Sequence, residues 1–351
     1  MTEFSIIYPP TVPWAGELPG QADPGSTGTH FSVRQRPHHL LASFARLGWR
    51  SIFVDSLPGT PGCWEIEPHL YVVRGTVPAG LVTGKKVLLT SHPPGGLRAK
   101  QHYQPDVWAH DVIDSDVSDG PFRHWQQGKA QCLQQADVLL ATSPQLLEEC
   151  QTAYARKSWL ITNGADTDHF SRRSRGEDGF AVPPTGTGKT ALFVGALAEW
   201  IDWTLVGNVA ALLPDWTFQI VGPKYDPSVT LPTASNIVYG GYVPYAELPQ
   251  YLASADVALS PFVKSQMTHA VAGCKITEYL AAGLPVVGTS IRTQVEHPYI
   301  TCADDPRGFA DAIVAAHQTP RAPLIRYARQ YDWTVLTAKA MGIIEAAARN
   351  K

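Results

Sequence analysis

Short apolar runs rich in Val, Ile and Leu alternate with longer stretches of helical period along most of the chain, the pattern of α/β folding with mainly parallel strands. In the first half the strand candidates are Ser5–Tyr8, Ser51–Val54, Leu70–Val73, Lys86–Thr90, Trp108–Ile113, Val138–Ala141 and Ser158–Thr162. Between them, Pro37–Leu47 sets Leu40, Leu41, Phe44 and Leu47 at a 3.6-residue period, and Phe122–Gln135 reads as a second helix. The alternation stops at 171–189, SRRSRGEDGFAVPPTGTGK, which is polar, rich in Gly and Pro, and reads as a linker. It then restarts. Strands are expected at Ala191–Gly195, Thr217–Val221, Ile237–Gly240, Val257–Ser260 and Pro285–Gly288. Helices are expected at Trp200–Ala211, Tyr245–Ser254, Lys275–Ala282, Phe309–Ala316 and Trp333–Arg349. Two α/β units of similar size around one linker predict a two-lobed protein with a cleft, and the lack of a short-period repeat excludes solenoids and propellers.

Composition agrees with two ordinary domains. The 351 residues are 44 % hydrophobic and only 17 % charged, enough apolar surface for a large core and too much for wholesale disorder. With 28 Lys+Arg against 31 Asp+Glu, the formal charge of −3 shows nothing of a general nucleic-acid binder. No apolar run reaches membrane-spanning length, and MTEFSIIYPP lacks the features of a secretory leader. Five scattered cysteines without a C-x-x-C disfavour a disulfide framework or a structural zinc site. A reduced, cytoplasmic protein is expected.

Several segments then fall in a telling order: FVGAL (193–197), FQIVGP (218–223), GYVPYAELPQYLASADVALSPF (241–262) and KITEYLAAGLPVVGT (275–289). Ahead of them stand RQRPHHLLASFARLGW (34–49), ADVLLATSPQL (136–146) and ITNGADTDHF (161–170). In this series the chain resembles the GT-B glycosyltransferases, in particular the family-4-like enzymes of bacterial surface polysaccharides, including teichuronic-acid-type and glucuronosyltransferase-like members. The resemblance implies two Rossmann-like domains facing a central cleft. They would be an acceptor domain at 1–170, a linker at 171–189 and a nucleotide-sugar donor domain at 190–330. A C-terminal helix at 331–351 would cross back to the N-domain. It also implies transfer of a sugar from a nucleotide-sugar, UDP favoured over GDP, to a hydroxyl of a glycan or lipid-linked acceptor, with no metal and no further cofactor.

The richest chemistry lies at His269–Gly283. Gly273 permits a tight turn into a helix whose free N–H groups and positive dipole end suit a diphosphate. Lys275 in the first turn is mildly unfavourable there unless an anion is present, and a phosphate would supply one. Glu278, three residues on, can accept from ribose hydroxyls; read alone, Lys275 and Glu278 are equally an i,i+3 surface pair. The resemblance adds Tyr242 and Val243 beside a nucleobase edge, where a strand end needing Gly is the other reading, and Gly195 beside the diphosphate, where a plain turn glycine is; Gly222 ends the next strand near the same cleft edge. The chain departs from the family pattern at Ala270, where many members have Glu, and at ALAEWIDW (196–203), which lacks their Arg and Lys. Retention or inversion therefore stays open.

An inverting enzyme needs a general base near the acceptor hydroxyl. Asp114 is the preferred candidate, after a strand expected to end at the cleft; Asp111 and His92 are the others, with His92 alternatively touching the donor sugar. A loop carboxylate or helix cap accounts for Asp114 equally well. The helix at 37–49, surrounded by Arg34, Arg36, His38, His39, Arg46 and Arg50, offers a peripheral membrane contact or a plain packed helix. The Gly-rich loop Pro9–His30 stands where the family has an acceptor loop. GTGKT (186–190) is no phosphate-binding NTPase loop, since Pro183 stands at the first glycine position and a strand follows. The D-x-D triplets at 114–116 and 166–168 are within chance. The rival functions are a GT-B nucleotide-sugar epimerase and a non-catalytic glycan- or nucleotide-binding protein.

Overall fold

The computed structural model describes residues 3–15, 18, 34–113, 128–171, 189–270 and 273–351. The chain forms two compact units, one made of Met1–Asn163 with Trp333–Lys351, the other of Gly164–Asp332. The expected linker at 171–189 falls inside the second unit, and its residues 172–188 lie outside those described.

The first unit is built on eight strands: β1 (Phe4–Tyr8), β2 (Arg50–Val54), β3 (Gly62–Glu67), β4 (Leu70–Arg74), β5 (Lys85–Thr90), β6 (Val107–Val112), β7 (Val138–Ala141) and β8 (Trp159–Leu160). Their order in the sheet is β3-β4-β2-β1-β5-β6-β7-β8. All neighbours run parallel except β3 and β4. Helices α1 (Arg36–Arg46), α2 (Pro93–Tyr103), α3 (Lys129–Gln135) and α4 (Pro144–Thr152) connect them. Strand order reverses between β1 and β5, the switch point at which open α/β sheets leave a crevice at the carboxyl ends.

The second unit opens with α5 (Thr167–Ser171) and carries a six-stranded, wholly parallel sheet. Its strands are β9 (Lys189–Val194), β10 (Trp216–Val221), β11 (Ile237–Tyr239), β12 (Val257–Ser260), β13 (Val286–Gly288) and β14 (Ile300–Cys302), ordered β11-β10-β9-β12-β13-β14. Here the switch point lies between β9 and β12. The helices are α6 (Trp203–Leu212), α7 (Leu248–Ser254), α8 (Gln266–Ala270), α9 (Cys274–Ala281), α10 (Arg292–Val295), α11 (Pro306–Ala316) and α12 (Arg321–Ala328). One core layer joins Phe193, Trp203, Phe218 and Phe309; the other joins Leu192, Val194, Val221, Val243, Tyr279 and Leu280. The last helix, α13 (Trp333–Arg349), belongs to the first unit and packs on α1. Among the described residues no helix is long and apolar enough to cross a membrane.

The strands form where the apolar runs put them, but local chemistry adds elements that periodicity missed. The hairpin β3–β4 supplies the single antiparallel pair, with β3 half-exposed at the sheet edge and bulged between Glu65 and Glu67. Helix α2 begins at Pro93-Pro94-Gly95-Gly96, a turn signature; it holds because prolines need no N–H at a helix start and His92 Nδ1 accepts from Gly95 N at 3.2 Å. Ser143 caps α4 in the same way, accepting from Leu146 N ahead of Pro144.

Candidate functional site

At the carboxyl edge of the second sheet, the ends of β9 and β10 approach backbone to backbone. Gly195 N donates to Val221 O at 2.9 Å, and Gly222 N donates to Gly241 O at 2.8 Å. Gly222 has φ +144°, and a Cβ there would lie 1.8 Å from Gly195 O, so the chain admits no side chain at 222. Strand-end geometry thus already accounts for Gly222. The loop that follows β9 carries no cation to the edge. Leu197 and Ala198 are buried, and Asp202 caps α6 through Leu205 N at 2.8 Å.

Helix α9 is aimed at this edge by Tyr279. Its phenol accepts from Val194 N at 2.8 Å and donates to Val194 O at 3.1 Å, fixing the helix to the last residue of β9. Residue spacing gives no sign of this hydroxyl tie. Gly273 is the N-cap of α9 and offers no side-chain cap, so the first N–H groups of the helix receive none from that residue. Lys275 Nζ donates to Glu278 Oε2 at 2.8 Å. This is no surface pair: the Glu278 side chain is only 5 % exposed and that of Lys275 24 %. A carboxylate has about four acceptor positions, and Lys275 is the one donor bonded to this one among the described residues.

Around the same edge, Val243 is buried in the core layer with Val194 and Tyr279, leaving only its backbone for recognition, and Gly241 takes φ +73°. Tyr242 is partly exposed beside it. Gln294 went unnoticed in the sequence. It is 2 % exposed, and its Nε2 donates to Ser260 Oγ at 2.6 Å, tying α10 to the end of β12.

In the first unit, Asp114 lies outside the described residues. His92 is a helix cap rather than a bare loop histidine. Asp111 cannot serve as a base. It is fully buried and held by two bonds from Arg36, Nε to Oδ2 at 2.7 Å and Nη2 to Oδ1 at 2.9 Å. His110 is buried too, its Nδ1 2.8 Å from Thr90 Oγ1, and burial pushes its pKa down to about 3, with the Lys129 charge next in effect. Of the two readings left open for the helix at 37–49, the burial of its residues fits the plain packed helix. Arg36, His38 and His39 are buried, and Arg46 pairs with Glu67 at 3.5 Å. Small neighbours such as Ala42, Ser43 and Ala45 let α1 sink into the unit on most of its sides. Asp166, of the second D-x-D triplet, caps α5 through His169 N at 3.0 Å.

Two compact units, each built on a mainly parallel sheet flanked by helices, have the architecture of the GT-B fold. Structural comparison agrees. Sucrose-phosphate synthase (tll1590) from Thermosynechococcus elongatus superposes with a TM-score of 0.74 at 15 % identity, over 99 % of this chain and 100 % of that one. Anabaena Alr3699/HepE in complex with UDP and glucose gives 0.67 at 12 % identity, over 98 % and 100 %. Residues 188–319 match the Glycosyl transferases group 1 family model. Among curated proteins, Bacillus subtilis (strain 168) TuaH, named for a glycosyltransferase of teichuronic acid biosynthesis, is 26 % identical over 258 residues. That match takes in 67 % of this chain and 64 % of TuaH.

Proposed function

We propose that the protein is a glycosyltransferase that moves a sugar from a nucleoside diphosphate sugar, UDP favoured, to a hydroxyl of a glycan or lipid-linked acceptor in the cytoplasm, without a metal ion. The observation that carries this reading is the start of α9, where a nearly buried carboxylate, Glu278, holds Lys275 at 2.8 Å behind Gly273. Among the described residues this carboxylate has one donor, and ribose hydroxyls would supply further ones. Lys275 and the first N–H groups of the helix would then meet the diphosphate, whose charge the helix dipole favours. Gly195 and Gly222 leave the strand ends bare for its approach, and the backbone at Tyr242–Val243 would meet the base edge. In the step itself the acceptor oxygen bonds to the anomeric carbon as the carbon–oxygen bond to the diphosphate breaks. The hydroxyl proton passes to a base, Asp114 first and His92 second, and the nucleoside diphosphate leaves. UDP and glucose in the HepE complex, and the polysaccharide pathway named for TuaH, support a UDP donor and a glycan acceptor.

A second reading has its own support in Ala270 and in the cation-free loop after β9: a protein that binds the nucleotide-sugar without transferring it, or epimerises it. Thermal unfolding with UDP, GDP, ADP and their sugars tests the first step. A ligand at 100 times its dissociation constant adds about 2.7 kcal/mol, a readable shift in midpoint. A response to UDP that EDTA leaves unchanged is expected, followed by nucleoside diphosphate release that requires a glycan acceptor. Isomerised donor without acceptor would establish the epimerase, and binding without either would establish the binding protein.

A further inference from the structure

The arginine that opens α1 takes no part in the reading above, yet its side chain is hydrogen-bonded throughout. A guanidinium has five N–H groups in a rigid fork, and in Arg36 every one has an acceptor. Nε and one Nη2 hydrogen go to the Asp111 carboxylate, at 2.7 and 2.9 Å. The other Nη2 hydrogen goes to Ile161 O at 2.9 Å. Nη1 bonds Thr162 O at 2.8 Å and Asn163 Oδ1 at 3.3 Å. The side chain is 8 % exposed, so nothing is left over for a ligand.

Three of these acceptors sit on the last three residues before the chain leaves the first unit, which it does after Asn163. The chain returns at Trp333, and there the same helix holds it again. Trp333 is 3 % exposed, its ring stacks on His39 with centroids 5.2 Å apart and planes 5° from parallel, and Arg36 Cζ lies 5.8 Å from its centroid. One turn of α1 therefore grips both the exit and the re-entry. The second unit roots its own ends independently. Ala165 N donates to Tyr331 O at 3.1 Å, and Asp332 Oδ2 accepts from Thr167 N at 3.0 Å and Thr167 Oγ1 at 2.7 Å.

We propose that Arg36 is a positioning residue that roots both chain crossings in the first unit, so that losing it lowers turnover while leaving nucleotide binding intact. The turnover half of this rests on the glycosyltransferase reading, in which donor and acceptor are held by different units. Transfer then needs reacting atoms aligned to a fraction of an ångström, and a misplacement of about 1 Å costs on the order of 10²-fold. Nucleotide binding needs the second unit alone. Lysine at 36 keeps a charge for Asp111 but is a single point donor that cannot also span the carbonyls of 161 and 162 and the amide of Asn163.

The test compares Arg36→Lys and Arg36→Met with the unaltered full-length protein by hydrogen exchange, UDP titration and sugar transfer. In Arg36→Lys, amides in peptides covering 158–163 and 333–340 are expected to exchange at least tenfold faster, with β9 to β13 unchanged. The UDP dissociation constant should stay within twofold, and kcat should fall tenfold to a hundredfold. Exchange unchanged at both segments would overturn the clamp. A loss of UDP affinity in step with kcat would overturn the positioning role in favour of general destabilisation. If the unaltered protein binds no nucleoside diphosphate, the functional reading fails, while the exchange data still decide whether Arg36 roots the crossings. Should Arg36→Met not fold, Arg36→Lys carries the test alone.

Discussion

Helices α1 and α9 both place a cation in their first turn, where the dipole is least welcoming, and each cation has a carboxylate. Their circumstances differ in one respect. Arg36 has all five donors matched by groups of its own unit, and the Asp111 carboxylate is taken on both oxygens. Among the described residues Glu278 receives one donor on one oxygen, from a lysine that is itself a quarter exposed. A closed network is a structural part, and an open one beside a bare backbone edge has room for a ligand. The same sequence signal, a basic residue opening a helix, thus has opposite meanings that only the count of partners separates.

The largest expected difference between the two helices is in stability. Arg36→Ala strands a fully buried carboxylate, which costs about 3–5 kcal/mol, whereas Lys275→Ala leaves Glu278 with some access to water and costs on the order of 1 kcal/mol. Urea unfolding of the two variants measures this, and equal losses would erase the distinction. Nucleotide affinity should reverse the ranking. Glu278→Gln removes a charged acceptor worth about 1.5–3 kcal/mol, roughly tenfold to a hundredfold in the UDP dissociation constant, and it should narrow the preference for UDP over 2′-deoxy-UDP. Lys275→Ala should weaken UDP about tenfold and more than Asp114→Ala does; comparable losses at both would mean the donor is not held by α9.

Acid is expected to weigh more on the first unit, which holds two depressed histidines, than on the second, which holds one. His38 on α1 is held by burial at a pKa of about 4, with Nε2 accepting from Ala15 N at 3.0 Å. His110 of the same unit is depressed to about 3, while in the second unit burial takes His297 to about 4. The unfolded chain protonates these imidazoles below about 6.5 while the folded chain leaves them neutral. Stability is therefore fully present above that pH and declines as pH falls towards 4, by up to about 1.4 kcal/mol per pH unit for each histidine. In His38→Gln the urea midpoint should fall less steeply between pH 6.5 and 4.

Strands were the most legible part of the fold, because fully buried parallel strands read as continuous apolar runs; Ile6, Ile52, Val87 and Leu139 show no exposure. What escaped were elements set by single polar atoms. The Pro-Pro-Gly-Gly start of α2 looks like a turn until His92 is seen capping it. In the site, Lys275 and Glu278 could be found because they meet at i,i+3, a distance along the chain. Asp111 lies 75 residues from Arg36, and Ile161 lies 125 away, so no spacing rule connects them. The two readings of the basic helix stayed open for the same reason: hydropathy marks Arg36, His38 and His39 as polar, and only their remote partners show that they are inside.

The return of α13 to the first unit bears on how the protein is made. Lys85 Nζ at the start of β5 bonds Ala348 O at 2.5 Å, and Trp333 closes over the helix that follows β1. On the ribosome, the unit whose synthesis begins first is thus finished last, its largest helical surface kept waiting while all of Gly164–Asp332 emerges and folds. Until then α1 presents an uncovered apolar side to chaperones, and a nascent chain stalled before residue 333 would carry a finished second unit behind an unfinished first.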